Sequence, residues 1–282
     1  MVKNLRLGCI VLVMSVCGAM TACSNGSDSV EMKEASLDLS AIAEDMRTVA
    51  RARVLLGHQS VGRDVLAGLA TLSAETGVPL RVVQIDGLPP DEEPGVFHSS
   101  IGENGDPNSK CEMFSQLLTR EERPAYDLAM MKFCYVDIDE GVPLTQEQMF
   151  DSYEKLVENI KAKRPDVTLV HITVPLRADP PGKRTWLYRK LGMAVYGDEY
   201  NVARNRFNDA LRERFGAEPM FDLAAVESTL PDGSRSSFER DGKTIYTLAP
   251  GYTHDGGHLN PPAQRRAAAA LIKTLAETLR NK

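Results

Sequence analysis

Four features are missing from this chain: an excess of positive charge, a second long apolar run, an internal repeat and a dense set of cysteines. Lys and Arg number 33 against 39 Asp and Glu, a formal charge of −6. A nucleic-acid binder needs a basic face to neutralise phosphates, so that class is excluded. The absence of a repeat excludes stacked solenoid units. Past the first twenty residues nothing is apolar enough over ~20 positions to span a bilayer. Of five cysteines, Cys9, Cys17 and Cys23 lie at the N-terminus. Only Cys111 and Cys134 remain, too few for a disulfide-built fold but enough for one bridge in an exported domain. Two buried free thiols are the equal alternative.

The N-terminus is what is there first. Lys3 and Arg6 precede the apolar run Leu7 to Ala19, which ends in Met20-Thr21-Ala22-Cys23 and a polar stretch from Ser24 to Ser27. This resembles a bacterial lipobox, with Met20 in place of the usual Leu. The resemblance implies removal of residues 1–22 as a signal peptide and acylation of Cys23. It places the chain in the cell envelope, held to the membrane at Cys23, and Ser24 leans toward the outer membrane facing the periplasm. Residues 23–282 then carry 31 Lys and Arg against 39 Asp and Glu, a formal charge of −8.

Residues 23–48 divide into a Ser/Asn/Gly-rich tether and a helix at Ala35 to Ala50, and 49–282 make one domain. Strand patterns at Arg53–Leu56, Leu80–Ile85, Asp127–Phe133, Val167–Val174 and Met220–Leu223 alternate with helical ones at Val61–Ala74, Ser109–Glu121, Thr145–Lys163 and Asn201–Phe215. Asn260 caps a last helix that opens with Pro261 and Pro262. Such alternation predicts a flavodoxin-like three-layer α/β/α fold around a mainly parallel five-stranded sheet. Asp86 to Asn108 reads as one long loop, a length that usually signals function. Chemistry in such folds collects beyond the carboxyl ends of the strands.

At the first of those ends stands Gly57-His58-Gln59-Ser60-Val61-Gly62. Ser60 sits where a helix begins, and free amides there favour developing negative charge. It is either a nucleophile or only the helix cap. Near the C-terminus comes Thr253-His254-Asp255-Gly256-Gly257-His258-Leu259-Asn260-Pro261. A serine hydroxyl needs a base, and a histidine serves when a carboxylate holds its other nitrogen. His258 and Asp255 have that spacing. His171 falls in a strand and reads as a core residue. Arg177 to Tyr200, with Trp186, Tyr188 and Tyr196, is either a lid or substrate wall or a surface insertion.

The blocks together resemble the SGNH/GDSL hydrolases from about Arg53 to the C-terminus. That family has a serine after the first strand and Asp-x-x-His before the last helix, matched here by Ser60, Asp255 and His258. Its G-x-x-G-D block is matched by Gly102-Glu103-Asn104-Gly105-Asp106. The resemblance implies a Ser60–His258–Asp255 triad and an oxyanion hole from the Ser60 and Gly102 amides, with no cofactor. Two departures stand out. Gln59 replaces the aspartate before the serine. After the third strand, Cys134 and Val136 replace the family's glycine and its oxyanion-donating asparagine, while Asp137 is kept. Asn104 is the substitute donor expected here, with His58 second. The implied activity is esterase removal of O-acyl groups, chiefly O-acetyl, from envelope or extracellular carbohydrate. The alternatives are an O-acyltransferase with the same triad, or a catalytically dead glycan-binding lipoprotein.

Overall fold

The computed structural model describes residues 37–122, 125–180, 182–193 and 195–282. The signal segment, Cys23 and the tether lie outside them. The described residues belong to one compact unit, Lys33–Lys282. Among them no helix is long and apolar enough to cross a membrane.

Helix α1 (Leu39–Val49) begins where Asp38 accepts the Ser40 and Ala41 amides. It leads into β1 (Arg53–His58), buried at every position. Helix α2 (Ser60–Thr76) comes next and stops at Gly77, whose φ of 66° is the left-handed turn that glycine adopts freely. Then come β2 (Val82–Gln84), β3 (Gly95–Ser100), α3 (Pro107–Thr119) and β4 (Leu128–Met131). Helix α4 (Gln146–Lys163) has a reciprocal cap between Thr145 and Gln148.

β5 (Thr168–Leu169) and β6 (His171–Ile172) are one run of chain. Val170 between them donates its N–H to the Ala129 carbonyl at 2.9 Å. The remainder is α5 (Lys183–Lys190), α6 (Asp198–Phe215), β7 (Met220–Phe221), α7 (Leu223–Ser228), the hairpin β8 (Ser237–Arg240) and β9 (Lys243–Tyr246), and α8 (Pro261–Arg280).

The main sheet has five parallel strands in the order β2-β3-β1-β4-β5, and β7 pairs parallel with β6 beyond them. Alternation along the strands separates two faces. Leu55, Phe97, Ala129 and Leu169 enter a core shared with Phe114 of α3, Tyr153 of α4 and Phe207 of α6. Helices α1, α2 and α8 pack against one another. The closest approach is at Gly68, where a Cβ would stand 2.1 Å from the Gln264 carbonyl oxygen. The expected three-layer α/β/α fold with a mainly parallel sheet is therefore present.

Two expectations need correction. Asp86–Asn108 is not one loop, because β3 runs through it and pairs with β1 along its whole length, from Arg53↔Gly95 to His58↔Ser100. Helix α3 begins at Pro107, two residues before the expected start at Ser109, and its cap is Asp106, whose side chain accepts the Ser109 amide at 3.1 Å. Cys111 and Cys134 are both buried free thiols.

Strands before β4 lie on one side of β1 and those after it on the other. The strand order thus reverses between β1 and β4, and the region beyond their carboxyl ends is where ligands bind in sheets of this kind. Two segments leave the sheet at that end, Gln59-Ser60 after β1 and Lys132 to Asp137 after β4.

Candidate active site

Ser60 is the first residue of α2, and the cap position before it belongs to Gln59. Capping therefore does not account for Ser60. The Gln59 amide group does other work, donating from Nε2 to the carbonyls of Ile101 (2.8 Å) and Gly102 (2.7 Å). The residue that replaces the resembled family's aspartate thus ties the glycine block to the serine turn. Among the described residues the Ser60 hydroxyl makes no hydrogen bond, at the positive end of a 17-residue helix.

His58 lies beneath this turn, 1% exposed. Its Nδ1 is 2.7 Å from the Gln59 carbonyl, which can only accept, so Nδ1 carries the proton. Its Nε2 then accepts from His98 Nδ1 at 3.0 Å. Burial pushes the His58 imidazole down to about 4, and the nearby His98, Lys132 and Arg63 charges push the same way. With both nitrogens engaged, His58 has no donor left for an oxyanion.

The Asp255–His258 turn is built by the carboxylate itself. Oδ1 of Asp255 accepts the amides of His258 (2.8 Å) and Gly257 (2.9 Å), and Oδ2 lies 2.6 Å from His258 Nδ1. Partial burial tends to raise the Asp255 carboxyl. The His258 amide, the His258 ring and the Gly257 amide outweigh it and hold the group well below the usual carboxylate range. An ionised Asp255 requires Nδ1–H on His258, which leaves Nε2 as the basic nitrogen. Both side chains are partly exposed, His258 at 39% and Asp255 at 55%.

The turn is docked on the serine helix. Leu259, next to His258, donates its N–H to Asp64 Oδ2 at 3.0 Å. Asp64 comes four residues after Ser60, one turn along the same face of α2. Burial raises the Asp64 carboxyl, opposed in part by the Leu259 amide.

The glycine block comes after β3. Gly102 has φ 52°, and a Cβ there would meet the Lys110 amide at 2.5 Å, so no other residue fits without displacing α3. Its N–H donates to Met113 Sδ at 3.3 Å, a weak acceptor that an oxyanion can replace. Asn104 is exposed, and its Oδ1 accepts from Lys110 Nζ at 3.1 Å. That bond turns Nδ2, the donor end, away from Lys110.

Asp137 anchors the block from below. It pairs with Lys110 at 2.5 Å, both side chains fully buried, and accepts the amides of Cys134 (2.6 Å) and Gly105 (2.9 Å). Cys134 and Val136 occupy a segment that this carboxylate holds in a short 3₁₀ turn, Tyr135–Asp137.

Tyr135 and Arg177 border the site and carry no motif. The Tyr135 ring meets His258 edge to face, centroids 5.8 Å apart, and Gly257 is tight against it, since a Cβ there would lie 2.6 Å from Tyr135 Cζ. Arg177 also lies against that ring, 5.2 Å from its centroid. Beyond it a 170 Å³ hollow is lined by Asp139, Arg177, Tyr196, Tyr200, Asn201 and Arg204. A larger hollow of 490 Å³ borders Thr168 and Met220, at the amino ends of β5 and β7 and so at the wrong end of the sheet for this chemistry. His171 is a core residue, fully buried and 2.9 Å from Tyr153 Oη.

No protein-family model matches the chain, and no curated protein matches it. Solved structures similar to it include a carbohydrate esterase family 3 protein from Talaromyces cellulolyticus, at 14% identity and TM-score 0.45, covering 82% of this chain and 99% of that one. A carbohydrate acetylesterase family member from Sinorhizobium meliloti has 13% identity and TM-score 0.45, over 80% and 99%. A lipase/acylhydrolase from Enterococcus faecalis has 12% identity and TM-score 0.46, over 80% and 96%.

Proposed function

We propose that the protein is a serine esterase with Ser60 as nucleophile, His258 as base and Asp255 as its orienting carboxylate. The observation that carries this reading is the 2.6 Å contact between His258 Nδ1 and Asp255 Oδ2, on a turn bonded through Leu259 to the helix that begins at Ser60. An exposed ion pair of this kind contributes little to stability. In this reading its role is to leave Nε2 as the basic nitrogen, on a turn tied to the helix whose first residue, Ser60, makes no side-chain hydrogen bond among the described residues.

The reaction can be written from those atoms. Ser60 Oγ adds to the acyl carbonyl carbon as His258 Nε2 takes its proton, and Asp255 stabilises the imidazolium. The carbonyl oxygen becomes an anion received by the Ser60 and Gly102 amides and by Asn104 Nδ2. The C–O bond to the leaving alcohol breaks as His258 returns the proton to that oxygen. Water then adds to the acyl carbon of the Ser60 ester as His258 takes its proton, the bond to Ser60 Oγ breaks as His258 returns that proton to Oγ, and the acid leaves. None of these steps calls for a cofactor. The substrate class is an O-acyl, chiefly O-acetyl, ester of envelope or extracellular carbohydrate, a reading that rests on the export and lipid attachment implied by residues 1–23.

The test is treatment with a fluorophosphonate followed by peptide mass spectrometry. Modification at Ser60, lost in His258→Ala, is the expected result. A folded protein that is not modified would leave a glycan-binding role in place of catalysis.

A further inference from the structure

Among the described helices, α5 is the one that buries no residue at all. Nine large hydrophobic residues are exposed among the described ones, and five of them fall within this helix and the turn after it: Trp186, Leu187, Leu191, Met193 and Tyr196. Their exposures reach 59% for Trp186, 64% for Leu191 and 74% for Tyr196. Scattered exposed apolar residues need no explanation, but a contiguous group marks a contact surface.

The charge of the same segment points to what it contacts. Between Lys183 and Tyr196 stand Lys183, Arg184, Arg189 and Lys190 and no acidic residue, in a chain of net charge −6. Arg189 holds the helix to the body through Asp179 and Asp198. Lys183, Arg184 and Lys190 are exposed. Lys190 Nζ lies 4.6 Å from the Trp186 ring centroid, and Arg184 Nε donates to Tyr188 Oη at 2.8 Å. Exposed aromatic and aliphatic side chains with cations interleaved among them can bury their apolar parts while the charged ends of Lys and Arg stay at a phosphate layer.

We infer that α5 and the turn to Tyr196 form a docking surface for an anionic phospholipid bilayer. Trp186, Leu187, Leu191 and Met193 enter the acyl boundary while Lys183, Arg184 and Lys190 meet lipid phosphates, and Tyr196, which donates to Glu140 at 2.7 Å, stays at the edge of the surface. If Cys23 is acylated as the lipobox resemblance implies, the thirteen residues between it and Leu37 reach at most roughly 45 Å. The domain would then be confined within that distance of the bilayer, and a weak surface contact would suffice to orient it. The docking itself does not depend on the esterase reading.

The chain contains one tryptophan, Trp186, so its fluorescence reports on this surface alone. Protein comprising residues 33–282, the compact unit, is mixed with vesicles of phosphatidylglycerol and phosphatidylcholine and with vesicles of phosphatidylcholine alone. The expected result is a blue shift and co-sedimentation with the anionic vesicles, weakened by salt. Leu191→Asp, and separately Lys183→Glu with Lys190→Glu, should each weaken that partitioning by roughly tenfold or more while hydrolysis of p-nitrophenyl acetate is unchanged. Absence of any shift with anionic vesicles would overturn the inference. So would a shift produced by raising protein concentration alone, which would mean a second copy, or by an acetylated oligosaccharide alone, which would mean a substrate wall. An esterase-inactive protein that still docks would refute only the catalytic reading.

Discussion

Asp137 and Asp255 do the same thing in two different places. Each carboxylate accepts two backbone amides and one cationic or ionisable side chain, Lys110 for Asp137 and His258 for Asp255, and Asp255 accepts the Thr253 hydroxyl as well. Asp137 and its lysine are fully buried, whereas Asp255 and His258 are 55% and 39% exposed. In the interior, removing one partner strands a charge that water cannot reach, so the Asp137 cluster holds a shape. At the surface, water replaces the lost partner at little cost. The Asp255 pair is therefore free to change its charge during a reaction.

The largest effect that would test this contrast is on activity. Ser60→Ala and His258→Ala should each lower kcat/KM by about 10⁴ or more, and the double variant should be little worse, because the residues act as one unit. Their melting temperatures should stay near that of the unaltered protein, as calorimetry can check. A Ser60→Ala variant with full turnover would remove Ser60 from the site.

Asp137→Ala should show the reverse pattern. Lys110 would be left unpaired in the core, and urea unfolding should report a loss of about 3–5 kcal/mol. A loss of activity with no loss of stability would place Asp137 among the reacting groups instead.

Asn104→Ala is the intermediate case, an exposed side chain on a loop that the buried cluster positions. If its Nδ2 donates to the oxyanion, kcat should fall on the order of 10²–10³ with KM nearly constant. A stable variant with unaltered kinetics leaves the Ser60 and Gly102 amides alone. Val136→Asn should raise turnover if the oxyanion site only lacks a donor.

The smallest effect concerns Glu227 of α7, buried and not part of the reaction. Burial pushes its carboxyl up to about 8, against the opposing influence of the Leu176 amide and the Lys132 and Arg204 charges. Between an ordinary glutamate pKa and 8 the folded chain holds a proton that the unfolded chain has released. Its contribution to stability therefore declines as pH rises through that window and levels off above it. Glu227→Gln should match the parent near pH ~4 and melt several degrees higher near pH ~9. Parallel melting curves across that range would show that Glu227 ionises normally.

Much of this was legible along the chain. Periodicity identified α2, α4, α6 and α8, since each carries an apolar face at helical spacing, and Thr145 and Asn260 announced their helix starts. β3 was not legible. Gly95-Val-Phe-His-Ser-Ser comes after a stretch of Pro, Asp and Glu, and its burial depends on β1 and β2 lying on either side. The hairpin of β8 and β9 did carry a signal, since Asp241 and Gly242 both have positive φ as a two-residue turn requires.

What the residues determined by themselves was local: strands alternating with helices, a serine at a helix start, and an aspartate three positions before a histidine in a glycine-rich turn. Spacing alone is enough for the last, because a three-residue turn brings a carboxylate to an imidazole without help from elsewhere. Packing between distant segments makes Gln59 the cap and the tie to Gly102, occupies both His58 nitrogens, and lets Asp64 hold the histidine turn to the serine helix. The ties that matter most join residues far apart in sequence, Asp64 and Leu259 being 195 positions apart. No local pattern can specify them, since they exist only once sheet and helices have packed and brought donor and acceptor together.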